Sequence, residues 1–134
     1  GLKDSSGNSN LFFNYSCAAD GHALRRVFQG DESRMEYSPH CVPSIANLFP
    51  GLCRQLYDAI SSSPSLVHSF QHRIDEAGDM VYGPDRQVQA GLKYALHCLG
   101  ICGPTTATQG KLTHAEAIRE FVKEALPEKG GLYI

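Results

Sequence analysis

Apolar residues recur at helical spacing along the chain from about residue 50 onward. Pro50 suits a first helical turn, because the N–H group that proline lacks would be unpaired at that position. The apolar face that follows comprises Leu52, Cys53, Leu56, Tyr57 and Ile60. This spacing predicts a helix that ends at the serine-rich break over residues 61–64, which also caps the next helix.

Three more amphipathic helices are predicted after this break. The apolar stripe of the first comprises Leu66, Val67, Phe70, Ile74 and Ala77. Gly78, and then Gly83 with Pro84, is expected to end this helix. The second stripe, which Gly100 stops, comprises Val88, Leu92, Ala95, Leu96 and Leu99. The last helix follows a capping box at residues 113–116, and its buried face comprises Ile118, Phe121, Val122 and Ala125.

The first third of the chain is predicted to contain shorter elements. Residues 24–29 form a partly β-branched run, which predicts a strand with Gly30, Asp31 and Glu32 at its carboxyl end. Residues 41–46 form the next apolar run and lead into the helix that starts near Pro50. Near the N-terminus, Lys3 ends a short apolar segment and is followed at once by small polar residues.

Lys3 is a candidate nucleophile. A lysine amine attacks a carbonyl carbon only when neutral, and the ordinary lysine pKa of about 10.4 leaves almost none neutral near pH 7. Burial disfavours the charged form of such an amine, while nearby hydroxyl and N–H groups can hold a carboxylate beside it. From the residues alone, an ordinary surface lysine is the competing interpretation.

Composition and charge narrow the function classes. A chain of 134 residues favours one domain, and 42% apolar residues permit a buried core. The net charge of −2 gives no electrostatic argument for binding nucleic acid or an anionic membrane. No apolar stretch approaches the roughly 20 residues of a membrane span. We therefore expect a cytoplasmic protein whose partners are small molecules or copies of itself.

The cysteines and histidines do not predict a metal site. Five cysteines at irregular spacing favour reduced thiols, because their number is odd. Cys98 and Cys102 have no second cysteine pair at zinc-finger distance, and His68 and His72 have no third ligand.

Four segments, in order along the chain, resemble a known family. Residues 1–8 (GLKDSSGN) resemble the segment around the Schiff-base lysine of the dihydrodipicolinate synthase and N-acetylneuraminate lyase family of pyruvate-dependent class I aldolases. Residues 27–32 (VFQGDE) resemble the strand-seven segment of that family, and residues 42–50 (VPSIANLFP) resemble its strand-eight segment and helix start. Residues 90–100 (AGLKYALHCLG) resemble its C-terminal helix.

The resemblance implies an α/β fold, namely the C-terminal portion of a (β/α)8 TIM barrel. Residues 1–61 would supply strands six to eight, and residues 62–134 would form the helical C-terminal extension. Because such barrels need about 250 residues, we expect this chain to be the C-terminal part of a longer protein. The interval between Gly30 and Asn47 is shorter than is usual in the family and contains Pro39, which predicts a shortened seventh barrel helix.

The resemblance also implies a chemistry. Lys3 would form an imine with pyruvate or a related 2-keto acid, and the iminium would act as the electron sink for making or breaking a carbon–carbon bond. The residues expected to bind substrate are Gly30, Asp31, Glu32, Val42 and Ser44. Among these, Glu32 and Ser44 would bind the second substrate, an aldehyde, and Val42 would be a wall beside the imine. Asp31 and Glu32 have an alternative role, as acids that cap a loop or a helix. Neither a metal nor a cofactor is implied, and a homo-oligomer is expected.

Two alternatives stay open. The chain could be a non-catalytic helical interaction domain, in which case Lys3 would be freely exposed. It could also belong to a dehydratase of the same family that uses the same imine on another keto acid. The proton-relay tyrosine of the family lies on an earlier strand, and none of the six tyrosines here matches its position.

Overall fold

The structure, a computed structural model, describes residues 1–20, 26–38, 40–103 and 112–125. In these ranges a short parallel sheet is followed by a stack of helices. The strands are β1 (Leu2–Asp4) and β2 (Val27–Gln29), and two 3-10 helices cover Glu32–Tyr37 and Ile45–Asn47. The α-helices are α1 (Ser9–Ala19), α2 (Pro50–Ser62), α3 (Pro64–Tyr82), α4 (Val88–Cys98) and α5 (Ala115–Ala125).

The sheet places three chain segments side by side in sequence order. Strand β1 pairs with β2 in parallel, so that Lys3 lies opposite Phe28. On the other side of β2, Gln29 forms a parallel bridge with Cys41. The carboxyl ends of these three segments therefore meet at one edge of the sheet. The predicted strand over residues 24–29 lies partly outside the described residues, and its described part is β2.

The interval between β2 and α2 contains no α-helix in the residues that the structure describes there. The segment Glu32–Tyr37 is a 3-10 helix in which Arg34 has non-helical angles, φ −129° and ψ 16°, so two short turns meet at a kink. This agrees with the predicted shortening of the seventh barrel helix. Pro39, on which part of that prediction rested, lies outside the described residues.

The main core is formed by α2 to α5 and by the two 3-10 helices. Its buried residues are Met35, Ile45, Leu48, Cys53, Leu56, Ile74, Ala77, Val81, Tyr82, Leu92, Ala95, Ile118 and Val122. Elements on both sides of the predicted boundary at residues 61 and 62 share this core, and the division into two regions stays a prediction. Among the described residues, no helix has both the length and the apolarity that a bilayer span requires.

The break at Ser63 and the start of α2 at Pro50 confirm two of the predicted helix boundaries. Three predicted core positions are wrong, because Tyr57 is 45% exposed, Leu66 is 48% exposed and Ala125 at the end of α5 is exposed as well. The ring of Tyr57 lies 5.4 Å from the Arg54 guanidinium carbon on the outside of α2. Ala59, which the apolar pattern omitted, is buried instead.

Of the two predicted ends of α3, the one at Gly78 is wrong and the one at Gly83 is confirmed. The helix continues through Gly78 to Tyr82, and Gly83, with φ +66°, follows it. Gly78 is buried, and the ring of Tyr82 lies over it. Packing thus outweighs the loss of about 1 kcal/mol that glycine causes inside a helix.

Gly100 ends α4 as predicted. With φ +71°, it donates its N–H to the His97 carbonyl at 2.9 Å, while Ile101 donates to the Leu96 carbonyl at 3.0 Å. This pair of bonds is the Schellman motif, which satisfies carbonyls at the end of a helix. The last helix begins one residue later than the capping box at residues 113–116 predicts, because α5 begins at Ala115 and the His114 carbonyl accepts its first bond.

Candidate active site

The side chain of Lys3 crosses Gly30 at the carboxyl edge of the sheet. Gly30 donates its N–H to the Asp4 carbonyl at 2.7 Å, which joins the ends of β1 and β2. A methyl group at Gly30 would lie 2.6 Å from Cε of Lys3 and would also overlap the Ser5 hydroxyl. The same methyl group would lie 2.8 Å from the carbonyl oxygen of Asp4, a backbone atom that cannot rotate aside as a side chain can, so the close approach of the two strand ends requires glycine. Lys3 itself is exposed.

The polar residues after Lys3 form a strand-end turn and a helix cap. The carboxylate of Asp4, a residue that is 7% exposed, accepts the Ser6 N–H at 2.9 Å. The side chain of Asn8 accepts the N–H groups of Asn10 at 3.0 Å and Leu11 at 3.1 Å, at the start of α1. This local turn fixes the direction in which the chain leaves β1. Neither the Asp4 turn nor the Asn8 cap was predicted, although Asn8 is a residue type that favours N-caps.

Asp31 caps the 3-10 helix that follows β2. Its carboxylate accepts the Ser33 N–H at 3.2 Å and the Ser33 hydroxyl at 2.8 Å. It also pairs with Arg34 at 3.1 Å, and Arg34 donates in turn to the Ser9 hydroxyl at the start of α1. This geometry favours the alternative role, in which Asp31 is a capping acid.

Glu32 is held between two other elements. Its carboxylate accepts the Ile45 N–H at 2.9 Å and the Tyr82 hydroxyl at 2.7 Å and 2.8 Å. Tyr82 is fully buried, and burial together with the hydrogen bond to Glu32 raises the pKa of Tyr82. The hydroxyl therefore stays protonated and donates. Tyr82 is not predicted from the sequence, in which its only signal is its helical spacing from Ile74.

Gln71 adds a second contact from α3. The side-chain amide donates to the Glu32 carbonyl at 2.8 Å and to the Asp75 carboxylate at 2.9 Å, and its oxygen accepts the Glu36 N–H at 2.9 Å. Gln71 is only 2% exposed. Partial burial raises the pKa of Asp75. A buried amide with all these bonds fixes the position of the 3-10 helix on α3.

Val42 and Ser44 lie on the segment next to β2. Val42 donates its N–H to the Gln29 carbonyl at 2.9 Å and is 46% exposed. Ser44 is half-buried and precedes the 3-10 helix Ile45–Asn47. The sheet thus brings the predicted residues to one edge from three neighbouring segments, with Lys3 and Gly30 in direct proximity. In the described ranges, no group of three or more histidine, cysteine or acidic residues is arranged to hold a metal ion.

Comparison with known proteins gives one informative relationship. The fold is similar to the solved structure of a dihydrodipicolinate synthase from the commensal bacterium Bacteroides thetaiotaomicron, with a TM-score of 0.79 and 27% sequence identity. The match covers 91% of this chain and 45% of that chain, so this chain spans about half the length of the synthase. No protein-family model and no curated protein matches the chain.

Dihydrodipicolinate synthase is a TIM-barrel enzyme, and the short parallel sheet followed by many helices fits a part of that architecture. The order of the four motifs and the extent of the structural match agree with each other. Together they confirm that this chain resembles the dihydrodipicolinate synthase family.

Proposed function

We propose that this chain supplies the imine-forming lysine, Lys3, of a lyase or aldolase that acts on pyruvate or a related 2-keto acid. The observation that carries the proposal is the crossing of Lys3 over Gly30 at the carboxyl edge of parallel strands. In TIM barrels the active site lies at that edge. In this proposal β1, β2 and the Cys41 segment are the sixth, seventh and eighth barrel strands.

The chemistry that this arrangement supports is covalent catalysis by an amine. The nitrogen of Lys3 attacks the keto carbon, and loss of water leaves an iminium ion. The positive nitrogen accepts electrons when the adjacent carbon loses a proton, which gives an enamine. The enamine carbon then attacks the carbonyl carbon of an aldehyde, and water releases the product from Lys3. Cleavage follows the same steps in reverse.

The second substrate would be bound at the ends of the neighbouring segments. In the proposal, Gly30 approaches it from β2 and Asp31, as a capping acid, holds the loop that follows. Ser44 offers a hydroxyl and Val42 forms a wall beside the imine. The remaining strands of the barrel, a homo-oligomeric assembly and a cytoplasmic location belong to the same proposal for the whole protein.

Borohydride trapping tests the role of Lys3. The protein is incubated with pyruvate and sodium borohydride, and the modified peptide is identified by mass spectrometry. We expect an adduct on Lys3 that is absent from Lys3→Arg and unchanged in Lys93→Arg, whose lysine is exposed on α4. An adduct on Lys93 or Lys111, or no adduct at all, would contradict the proposal.

A second candidate function, that of a helical interaction domain, is favoured by the surface of α1. None of the residues of α1, all of which the structure describes, is buried, and Phe13 is 67% exposed. A helix of this kind can bury its aromatic residues only against another chain or a further segment. If this function is correct, Phe13→Ser will abolish self-association in sedimentation, and Lys3→Arg will have no effect on any measured property.

A further inference from the structure

A buried polar cluster connects α3 to the loops at the carboxyl edge of the sheet. We call it the Glu32 bridge, and it consists of Glu32, Gln71 and Tyr82. Through the side chain of Glu32, Tyr82 is linked to the N–H of Ile45. Through its amide, Gln71 is linked to the backbone of both Glu32 and Glu36. One helix therefore holds the loop after β2 and the loop after Cys41 at the same time.

Burial makes these contacts specific. Tyr82 and Gln71 are 0% and 2% exposed, so each has lost its hydrogen bonds to water. A buried hydroxyl or amide without a hydrogen-bond partner destabilises the folded state. The partners of Tyr82 and Gln71 lie in the strand-end loops, except for Asp75, which lies on α3. Displacement of either loop would leave a buried polar group unsatisfied. The loops are consequently held in one position.

We propose that Tyr82 and Gln71 are positioning residues, which act through Glu32 to set the distance of Val42 and Ser44 from the imine at Lys3. In this proposal Glu32 acts on the loops and not on the substrate, because its carboxylate accepts the Tyr82 hydroxyl from one side and the Ile45 N–H from the other. The inference rests on the proposed function for its catalytic consequence. The structural part of the inference, that the Glu32 bridge orders the loop after Cys41, does not depend on the proposed function.

Tyr82→Phe removes the hydroxyl and little else, so it is the variant of choice. The matched control is Tyr57→Phe, because Tyr57 is a half-exposed tyrosine of the neighbouring helix α2. Hydrogen exchange followed by mass spectrometry reports on the peptide that contains Ile45. Loss of one hydrogen bond should speed exchange there by about 2- to 10-fold in Tyr82→Phe. Glu32→Ala should do the same, and Glu32→Gln, which keeps an acceptor oxygen, should restore part of the protection.

The catalytic consequence is measured on Lys3 itself, with pyruvate and glyceraldehyde as probes. Borohydride traps either the pyruvate adduct or the larger aldol adduct, and their masses separate them. We expect Tyr82→Phe to leave the total adduct unchanged and to lower the aldol fraction by about 2- to 10-fold. A residue that served only overall stability would lower both adducts together.

The exchange and adduct measurements test the loop-ordering part and the catalytic part of the inference separately. Unchanged exchange at Ile45 in Tyr82→Phe would overturn the inference, and so would an unchanged aldol fraction in a protein that does form adducts. A larger loss in Glu32→Gln than in Tyr82→Phe would also overturn it, because Glu32 would then contact the substrate. If the unsubstituted protein forms no adduct, the proposed function fails, while the exchange data still decide whether the bridge orders the loop.

Discussion

Gly91 of α4 lies directly against the backbone of α3. A methyl group at this position would overlap the carbonyl oxygen of Val81 and lie 2.9 Å from its carbonyl carbon, whereas ordinary contact begins at 3.4 Å. The peptide group of a buried helix cannot rotate aside as the end of a long side chain can. Gly91→Ala must therefore push α4 away from α3. The same carbonyl accepts a hydrogen bond from the His114 ring at 3.1 Å, so the contact with α5 would be disturbed as well.

Two effects of opposite sign set the size of the change. Overpacking in a core costs about 1 to 3 kcal/mol, and overlap with a backbone carbonyl oxygen places this site at the upper end, about 2 to 3 kcal/mol. Alanine is better than glycine inside a helix by about 1 kcal/mol, which leaves a net loss of about 1 to 2 kcal/mol. For a chain of this size, that loss corresponds to a melting temperature lower by about 4 to 10 °C.

Gly78→Ala is the matched control, since Gly78 is also a buried glycine in a helix. Its added methyl group would lie 3.4 Å from a ring carbon of Tyr82, which is an ordinary contact. Helix propensity should then dominate and stabilise the protein by up to about 1 kcal/mol. Urea unfolding followed by circular dichroism measures both variants. The backbone contact does not determine the stability of Gly91→Ala if this variant is as stable as the parent, or if the free energy of unfolding changes in the same direction in both variants.

Three further predictions concern a thiol, a carboxylate and the sheet edge. Burial raises the pKa of Cys53 to about 12, so iodoacetamide at pH 8 should modify exposed Cys17 and spare Cys53 until denaturant is added; equal modification of both in the native protein would contradict this. Partial burial raises the pKa of Asp75, so the folded state binds the proton of this carboxyl group more tightly than the unfolded state does. The folded state therefore loses stability as the pH rises from the unfolded-state pKa of about 3.9 through the raised pKa of the folded state. Asp75→Asn should accordingly raise the melting temperature at pH 7 but not at pH 3, and a gain at both would contradict the reasoning. Gly30→Ala should reduce pyruvate trapping on Lys3 while the helical circular dichroism signal stays unchanged, because the added methyl group would lie 2.8 Å from the Asp4 carbonyl oxygen and 2.6 Å from Cε of Lys3 and would push the strand end and the lysine apart; full trapping would show that the close approach is not required.

The sequence predicts those features that depend on neighbours along the chain. Pro50 and Gly100 mark helix boundaries through local backbone chemistry, and the structure agrees with both. Gly78 wrongly predicts a helix end, because its role depends on a tertiary contact. Its place inside α3 depends on the packing of Tyr82 over the helix, and no local pattern reports that contact.

The candidate site divides in the same way. The motif around Lys3 predicts a lysine at a strand end, and the structure places Lys3 on β1, whereas the reactivity of its amine stays a prediction. The role of the Glu32 carboxylate cannot be predicted from local sequence, because it depends on a hydrogen bond from Tyr82, which lies 50 positions further along the chain. A glutamate that binds a substrate hydroxyl and one that accepts a buried tyrosine look identical in sequence.

The long sequence separation within the Glu32 bridge has a consequence for how the chain folds. Closing a loop of 50 positions costs entropy before any of its contacts forms, whereas α2, α3 and α4 are joined by short turns and meet through local contacts. The helices can therefore assemble first, and the strand-end loops dock onto them last. Heating or denaturant will release the loops before it melts the helices. A strong helical signal from a preparation thus reports folded helices, and the fraction of molecules whose strand-end loops are docked is smaller.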